Sequence, residues 1–186
     1  DTELLAERQE TMLMAAHLQR GTWGLAWLSL TEGVIGLAEC SERELGGWLT
    51  RLAPAEVLLR QDSGQEQWPA ALRQCGAALT RRPAWQFESA LGERKLREQL
   101  RVATLAGFNA QDLGAAHAAA AALLSFAEHT QGRALSHVGR VVVERASDLL
   151  ELPAATHRNL ELVQTLRGEN APTLLSTLDS CRTGMG

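Results

Sequence analysis

The residues of this chain best equipped for chemistry stand apart from one another. Its histidines, His17, His117, His129, His137 and His157, form no His-x-x-x-His or His-Glu-x-x-His pair. Two imidazoles therefore never share one helix face in the way a zinc hydrolase requires, and each reads as a core or surface histidine. Cys40, Cys75 and Cys181 are odd in number, widely spaced and without a Cys-x-x-Cys pair, which excludes a zinc knuckle or a disulfide framework as the organising principle. Reduced thiols in a cytoplasmic protein are the expectation. Ser180-Cys181 lacks the Gly-x-Ser-x-Gly elbow of hydrolases. No Gly-rich phosphate loop ending in Gly-Lys-Ser/Thr occurs, so nucleotide hydrolysis is not expected within these residues. Catalytic, cofactor and metal sites are accordingly not assigned.

One charged run stands out, Glu93-Arg94-Lys95-Leu96-Arg97-Glu98. At helical spacing it can pair Glu93 with Arg97 and Arg94 with Glu98 on a solvated face. Its other reading is a protein-docking edge, because arginine is favoured at interfaces.

The elements that would carry these residues follow from periodicity. Three closely spaced strands are expected at Thr11 to Leu18, Trp23 to Leu30 and Val34 to Ala38, with Arg20-Gly21 and Glu32-Gly33 as turns. Such short links force an antiparallel meander. Ser41 and Glu44 form a capping box for a helix whose apolar face is Leu45, Trp48, Leu49 and Leu52, and Pro54 stops it. Glu56 to Leu59 reads as a strand parallel to a meander strand, because a helix precedes it. A short helix around Trp68 to Gln74, a strand at Ala77 to Thr80 and a break at Arg81-Arg82-Pro83 come next. Trp85 to Arg101 reads as helical and Gly107-Phe108-Asn109 as a loop. Asp112 can cap a long alanine-rich helix from Leu113 to His129. Arg133 to His137 reads as a loop and Val141 to Val143 as a short extended piece. Beyond a boundary near residues 146 to 153, two amphipathic helices are expected, the first entered at Pro153 and the second at Thr173. Their apolar faces would need a partner from elsewhere.

The order β-β-β-α-β-α gives an α/β fold of ribonuclease H-like type. A nuclease on that frame needs carboxylates clustered near strand ends to hold Mg²⁺. The first two strands carry none, and Glu39 at the end of the third stands alone. The nuclease reading is therefore disfavoured. The formal net charge of -4 and the near absence of lysine argue against a main DNA grip here. Without tyrosine, an aromatic stacking platform for single strands is not expected either. No apolar run approaches the ~20 residues that span a bilayer, and no signal peptide is visible. The chain opens at Asp1 and closes at Thr183-Gly184-Met185-Gly186 after a helical pattern, so both ends read as cuts within a longer polypeptide.

Several stretches together resemble the MutS family of DNA mismatch-repair proteins. Asp1 to Gln9 is similar to the segment that follows the family's mismatch-reading domain, and Thr31-Glu32-Gly33 sits at its Gly-ended turn after a strand. Arg81-Arg82-Pro83-Ala84-Trp85-Gln86-Phe87-Glu88 looks like its RRPxWxFE stretch. Ala155 to Leu162 resembles its ATRRNLE motif, with His157 in place of the first arginine, and Asp179 to Gly186 resembles its LDxxxTxMG segment. The resemblance spans the whole chain. It implies a lead-in linker over 1–10, the connector domain (domain II) over 11–146, and the first helices of a truncated core domain over 147–186.

The parent would then be a homodimeric, cytoplasmic, nucleoid-associated bacterial protein that binds mismatched DNA. Its ATP and Mg²⁺ would sit in an ATPase domain that these residues do not include. The connector would relay between the mismatch-reading and ATPase domains, dock MutL, and perform no catalysis itself. Matched residue by residue, Arg94 and Lys95 fall at the family's MutL-docking positions.

Overall fold

A computed structural model describes residues 12–62 and 68–145, all within one compact unit, Asp1–Arg145. The expected lead-in linker at 1–10 and the helices expected beyond Pro153 lie outside the described residues, as does Thr11.

The meander forms as the short turns require. Strands β1 (Leu13–Gln19), β2 (Thr22–Ser29) and β3 (Val34–Cys40) pair antiparallel, with Gln19 opposite Thr22 and Ser29 opposite Val34. Arg20 and Gly21 both take positive φ, 52° and 81°, the signature of the two-residue turn whose twist matches flanking strands. Helix α1 (Glu42–Leu52) starts on the Ser41–Glu44 capping box and ends at left-handed Ala53, one residue before Pro54. It buries Leu45, Trp48 and Leu49. Strand β4 (Glu56–Arg60) lies parallel to β1. After the single-turn α2 (Ala70–Arg73), β5 (Ala78–Arg82) lies parallel to β4.

The expected break at Arg81-Arg82-Pro83 is shorter than the composition suggested. Arg81 and Arg82 continue the ladder opposite Leu59 and Arg60, and only Pro83, which has no N–H to give, ends it. A 3₁₀ turn (Ala84–Gln86) then leads to α3 (Ser89–Leu100). A second 3₁₀ turn (Ala106–Phe108) stands where a loop was expected, followed by left-handed Asn109. The alanine-rich helix is α4 (Ala115–Thr130). A one-turn α5 (Gly132–Leu135) replaces the expected loop at Arg133 to His137. The extended piece becomes β6 (Arg140–Val143), parallel to β3.

The mixed sheet thus has the order β5-β4-β1-β2-β3-β6. Its two faces follow from the period-2 alternation of β2. Gly24, Ala26 and Leu28 lie beneath α4. Trp23, Leu25 and Trp27 point the other way, where Trp27 meets Trp48 of α1 at 6.0 Å between ring centroids. Helix α3 packs on the outer side of α4. Close approach is enforced by glycine at two places. A Cβ on Gly24 would collide with the backbone of Ala115 and Ala116, and one on Gly92 with the carbonyl of His117. Helix α4 is buried at Ala115 through Ser125 and at Ala127, so alanine serves it both as a helix former and as a spacer of minimal thickness.

Candidate functional site

Helix α4 is not capped by Asp112. Its N-cap is Gly114, and no side chain of the cap residue bonds back. The first N–H groups are met from across the sheet instead. Glu39 Oε2, at the end of β3, accepts from the N–H of Gly114 at 2.9 Å and of Ala116 at 3.0 Å. A carboxylate there satisfies unpaired donors and faces the positive end of the helix dipole. The lone strand-end acid of the meander is therefore engaged in holding a helix.

Other carboxylates are similarly engaged. Glu56 accepts from the Thr80 hydroxyl at 2.5 Å. Asp62 takes Arg60 in a two-pronged pair at 2.6 and 2.8 Å, and these hydrogen bonds from Arg60 hold its carboxyl below the usual range. Among the described residues, no three His, Cys, Asp or Glu side chains gather where they could hold a metal ion. Nor is any helix there long and apolar enough to cross a membrane.

His17 is buried and stacks on Phe87, with ring centroids 5.3 Å apart. Burial and then the nearby Arg60 guanidinium push its pKa down to about 4. The imidazole is neutral at physiological pH, as a core histidine would be. Burial, with Glu44 nearby, pushes the Cys40 thiol up to about 12, which leaves it unreactive as a nucleophile. Cys75 is half-buried, with its thiol directed to the Leu72 carbonyl at 3.2 Å.

The charged run lies on α3. Arg94 is exposed and pairs with Glu98 at 3.2 Å, the i,i+4 pair that the spacing predicts. Lys95 is differently placed, because its ammonium reaches Glu128 on α4 at 2.9 and 3.0 Å. Only 17% of the Lys95 side chain is exposed. Lys95 therefore clamps α3 to α4, whereas Arg94 faces outward.

The stretch leading into α3 explains itself residue by residue, with one exception. Arg81 lies over the Trp68 ring at 5.3 Å, and Arg82 over Phe126 at 5.2 Å while donating to Gln86 Oε1 at 3.1 Å. Gln86 and Phe87 are buried. Ser89 donates to the Gly114 carbonyl at 2.7 Å. Trp85 is the large hydrophobic side chain of this stretch that stays outside, 70% exposed, between exposed Ala84 and buried Gln86. Trp85 was expected to open the helix, but it lies in the 3₁₀ turn and the helix starts at Ser89. A tryptophan sits on either face of a 3₁₀ turn with equal ease, so local pattern did not reveal its exposure.

A sequence-family model described as MutS domain II matches residues 11–139, from the first strand to the glycine before β6. That span contains the whole meander, α1 to α5 and the Arg81–Glu88 stretch. On this match, which covers well over half of its length, the chain belongs to the MutS domain II family.

Proposed function

We propose that this chain is the connector segment of a MutS mismatch-repair protein. In this reading it is a non-catalytic module joining the mismatch-reading domain to the core and ATPase domains, and it offers α3 and the 3₁₀ turn before it to MutL. The frame is ribonuclease H-like: three antiparallel strands, then two parallel ones added on the β1 side, support that reading. Residues 147–186 belong to the start of the core domain, and residues 1–10 are the linker from the mismatch reader. ATP and Mg²⁺ belong to the parent's ATPase domain, and the parent works as a cytoplasmic homodimer on mismatched DNA.

The observation that carries the docking proposal is Trp85. It is a large aromatic with most of its surface in water, in a turn whose neighbours Arg82, Gln86 and Phe87 are engaged internally. Interface hot spots are enriched in tryptophan and arginine, and Arg94, exposed on the following helix, supplies the second type. Lys95 contributes by fixing the helix rather than by touching the partner.

The test is a titration of the labelled chain with MutL at moderate salt and with a nucleotide analogue present. Saturable binding that Trp85→Ala and Arg94→Ser each weaken, with the fold intact, supports this face. Binding that neither substitution changes places the docking elsewhere and overturns the assignment.

A further inference from the structure

The pairing of β1 with β4 is short. It covers Leu13 to Ala15 of β1 against Glu56 to Leu58 of β4, and neither the last residues of β1 nor Leu59 and Arg60 of β4 continue it. The two strands part at their carboxyl ends. This is also where the order of the sheet reverses: the chain runs outward through β2 and β3, then returns to lay β4 on the other side of β1. In open α/β sheets a crevice at the carboxyl ends of parallel strands, at such a reversal, is where ligands bind.

A cavity of about 170 Å³ opens at this place, lined by Ala16, His17, Leu18, Trp23, Leu59, Arg60 and Trp68. It is large enough for a group of a few heavy atoms and too small for a nucleotide.

The lining is unusual in its hydrogen-bonding capacity. Among the described residues, the two buried side-chain polar atoms without a partner are Nε1 of Trp23 and Nε1 of Trp68, and both rings line this one cavity. An indole nitrogen can only donate. Both residues are 4% exposed. Trp68 is held from its other side by Arg81, and Trp23 by its place in β2 opposite Leu18 and Cys40. Arg60 commits two of its N–H groups to Asp62 out of the five that a guanidinium carries. No carboxylate is among the described lining residues. Among the described lining side chains the donors outnumber the acceptors, since neutral His17 offers a single ring nitrogen, and the two unpaired indole donors call for an acceptor brought by something else.

We propose that the cleft where β1 and β4 part is a carboxylate-binding site, in which the indole N–H groups of Trp23 and Trp68 and the Arg60 guanidinium hold one carboxylate group. A carboxylate fits because it only accepts, offers several lone-pair sites, and is the usual partner of a guanidinium. The carboxylate reaches the cleft either on a small free acid or on an acidic side chain of a protein partner, and the chemistry in the cleft is the same. Both indole nitrogens are closed to water in this conformation, so seating the carboxylate includes a small turn of the rings. Leu18, 47% exposed at the rim, meets the aliphatic part of whatever carries the acid. This site is separate from the Trp85 face and does not depend on the docking reading.

The test uses the whole chain, labelled with ¹⁵N, and follows the indole N–H resonances of its five tryptophans. Trp23→Phe and Trp68→Phe assign the two signals of interest. Propionate, a short neutral peptide carrying one glutamate, and chloride are titrated separately at constant ionic strength. The proposal expects the Trp23 and Trp68 signals to move downfield together and saturably with a carboxylate and not with chloride. It expects Arg60→Gln to weaken that response by about tenfold or more. A response to propionate identifies a free acid as sufficient. A response to the peptide alone assigns the site to a partner's side chain. If neither probe moves these two signals in a folded chain, or if chloride moves them equally, the cleft holds only water and the proposal is overturned.

Discussion

Removing the Glu39 carboxylate tests whether a strand-end acid, rather than a local cap, holds the central helix. One oxygen of Glu39 accepts from the N–H of Gly114 and of Ala116, and Ala116 is fully buried. In Glu39→Ala the Ala116 N–H keeps its desolvation and loses its partner, and the helix dipole loses a facing negative charge. Hydrogen bonds to charged groups contribute ~1.5–3 kcal/mol, and cap replacements cost ~0.5–2 kcal/mol. Because the site is half-buried, about 2 kcal/mol is the expected loss for Glu39→Ala. Glu39→Gln, which keeps an acceptor oxygen without the charge, should lose about 1 kcal/mol. With a urea slope of ~2 kcal/mol per molar, the midpoint of Glu39→Ala falls by about 1 M. The assay is equilibrium urea unfolding followed by tryptophan fluorescence, with Asp112→Ala as the comparison. Asp112 is the cap that the sequence suggests and the structure does not use, so its loss should stay within ~0.5 kcal/mol. A Glu39→Ala midpoint equal to that of the parent chain, or an Asp112→Ala cost as large as that of Glu39→Ala, would refute the argument.

Gly24→Ala should lose about 3 kcal/mol in the same unfolding assay, because the added methyl meets helix backbone that cannot turn aside. Soluble expression at parent levels with an unchanged midpoint would contradict the close approach. His17 titrates at 6.5 when unperturbed and at about 4 in the fold, so on acidification the unfolded chain takes up its proton first. Its contribution is full above pH 6.5 and is lost progressively down to about 4, a loss of about 2–3 kcal/mol. Urea midpoints at about pH 7.5 and about pH 5 should differ less in His17→Phe than in the parent chain if burial of this imidazole is the cause. Cys40 should resist alkylation at neutral pH until the chain unfolds, as peptide mapping of modified protein would show; rapid labelling of folded protein would contradict its raised thiol pKa. Lys95→Glu should destabilise the domain by about 1 kcal/mol through repulsion from Glu128, whereas Arg94→Ser should be nearly neutral for stability.

The meander was legible because its signals are local. Short apolar runs, two Gly-containing turns and a complete capping box leave little freedom, and β1 to β3 and α1 follow within a residue or two of expectation. The misreadings lie where a distant partner decides. Asp112 is a good cap by type, yet Glu39, 75 positions from Gly114, takes the role. Arg81 and Arg82 look like a break beside Pro83, but β4 supplies a ladder for them. Lys95 reads as surface charge until α4 brings Glu128 beneath it. Trp23 and Trp68 are 45 positions apart, and nothing in either segment announces that their indole donors line one cavity. The exposure of Trp85 was hidden for the same reason: only packing tells which aromatics are left outside.

The double glycine contact on α4 also bears on stiffness. The first half of the helix, Ala115–Ala122, is alanine but for His117 and has almost no side-chain torsions to readjust, and here its backbone meets the sheet at Gly24 and α3 at Gly92. Interfaces with flexible side chains yield to a push by switching rotamers, but this one has few to switch. A displacement applied to α3 therefore meets little side-chain slack between it and the meander.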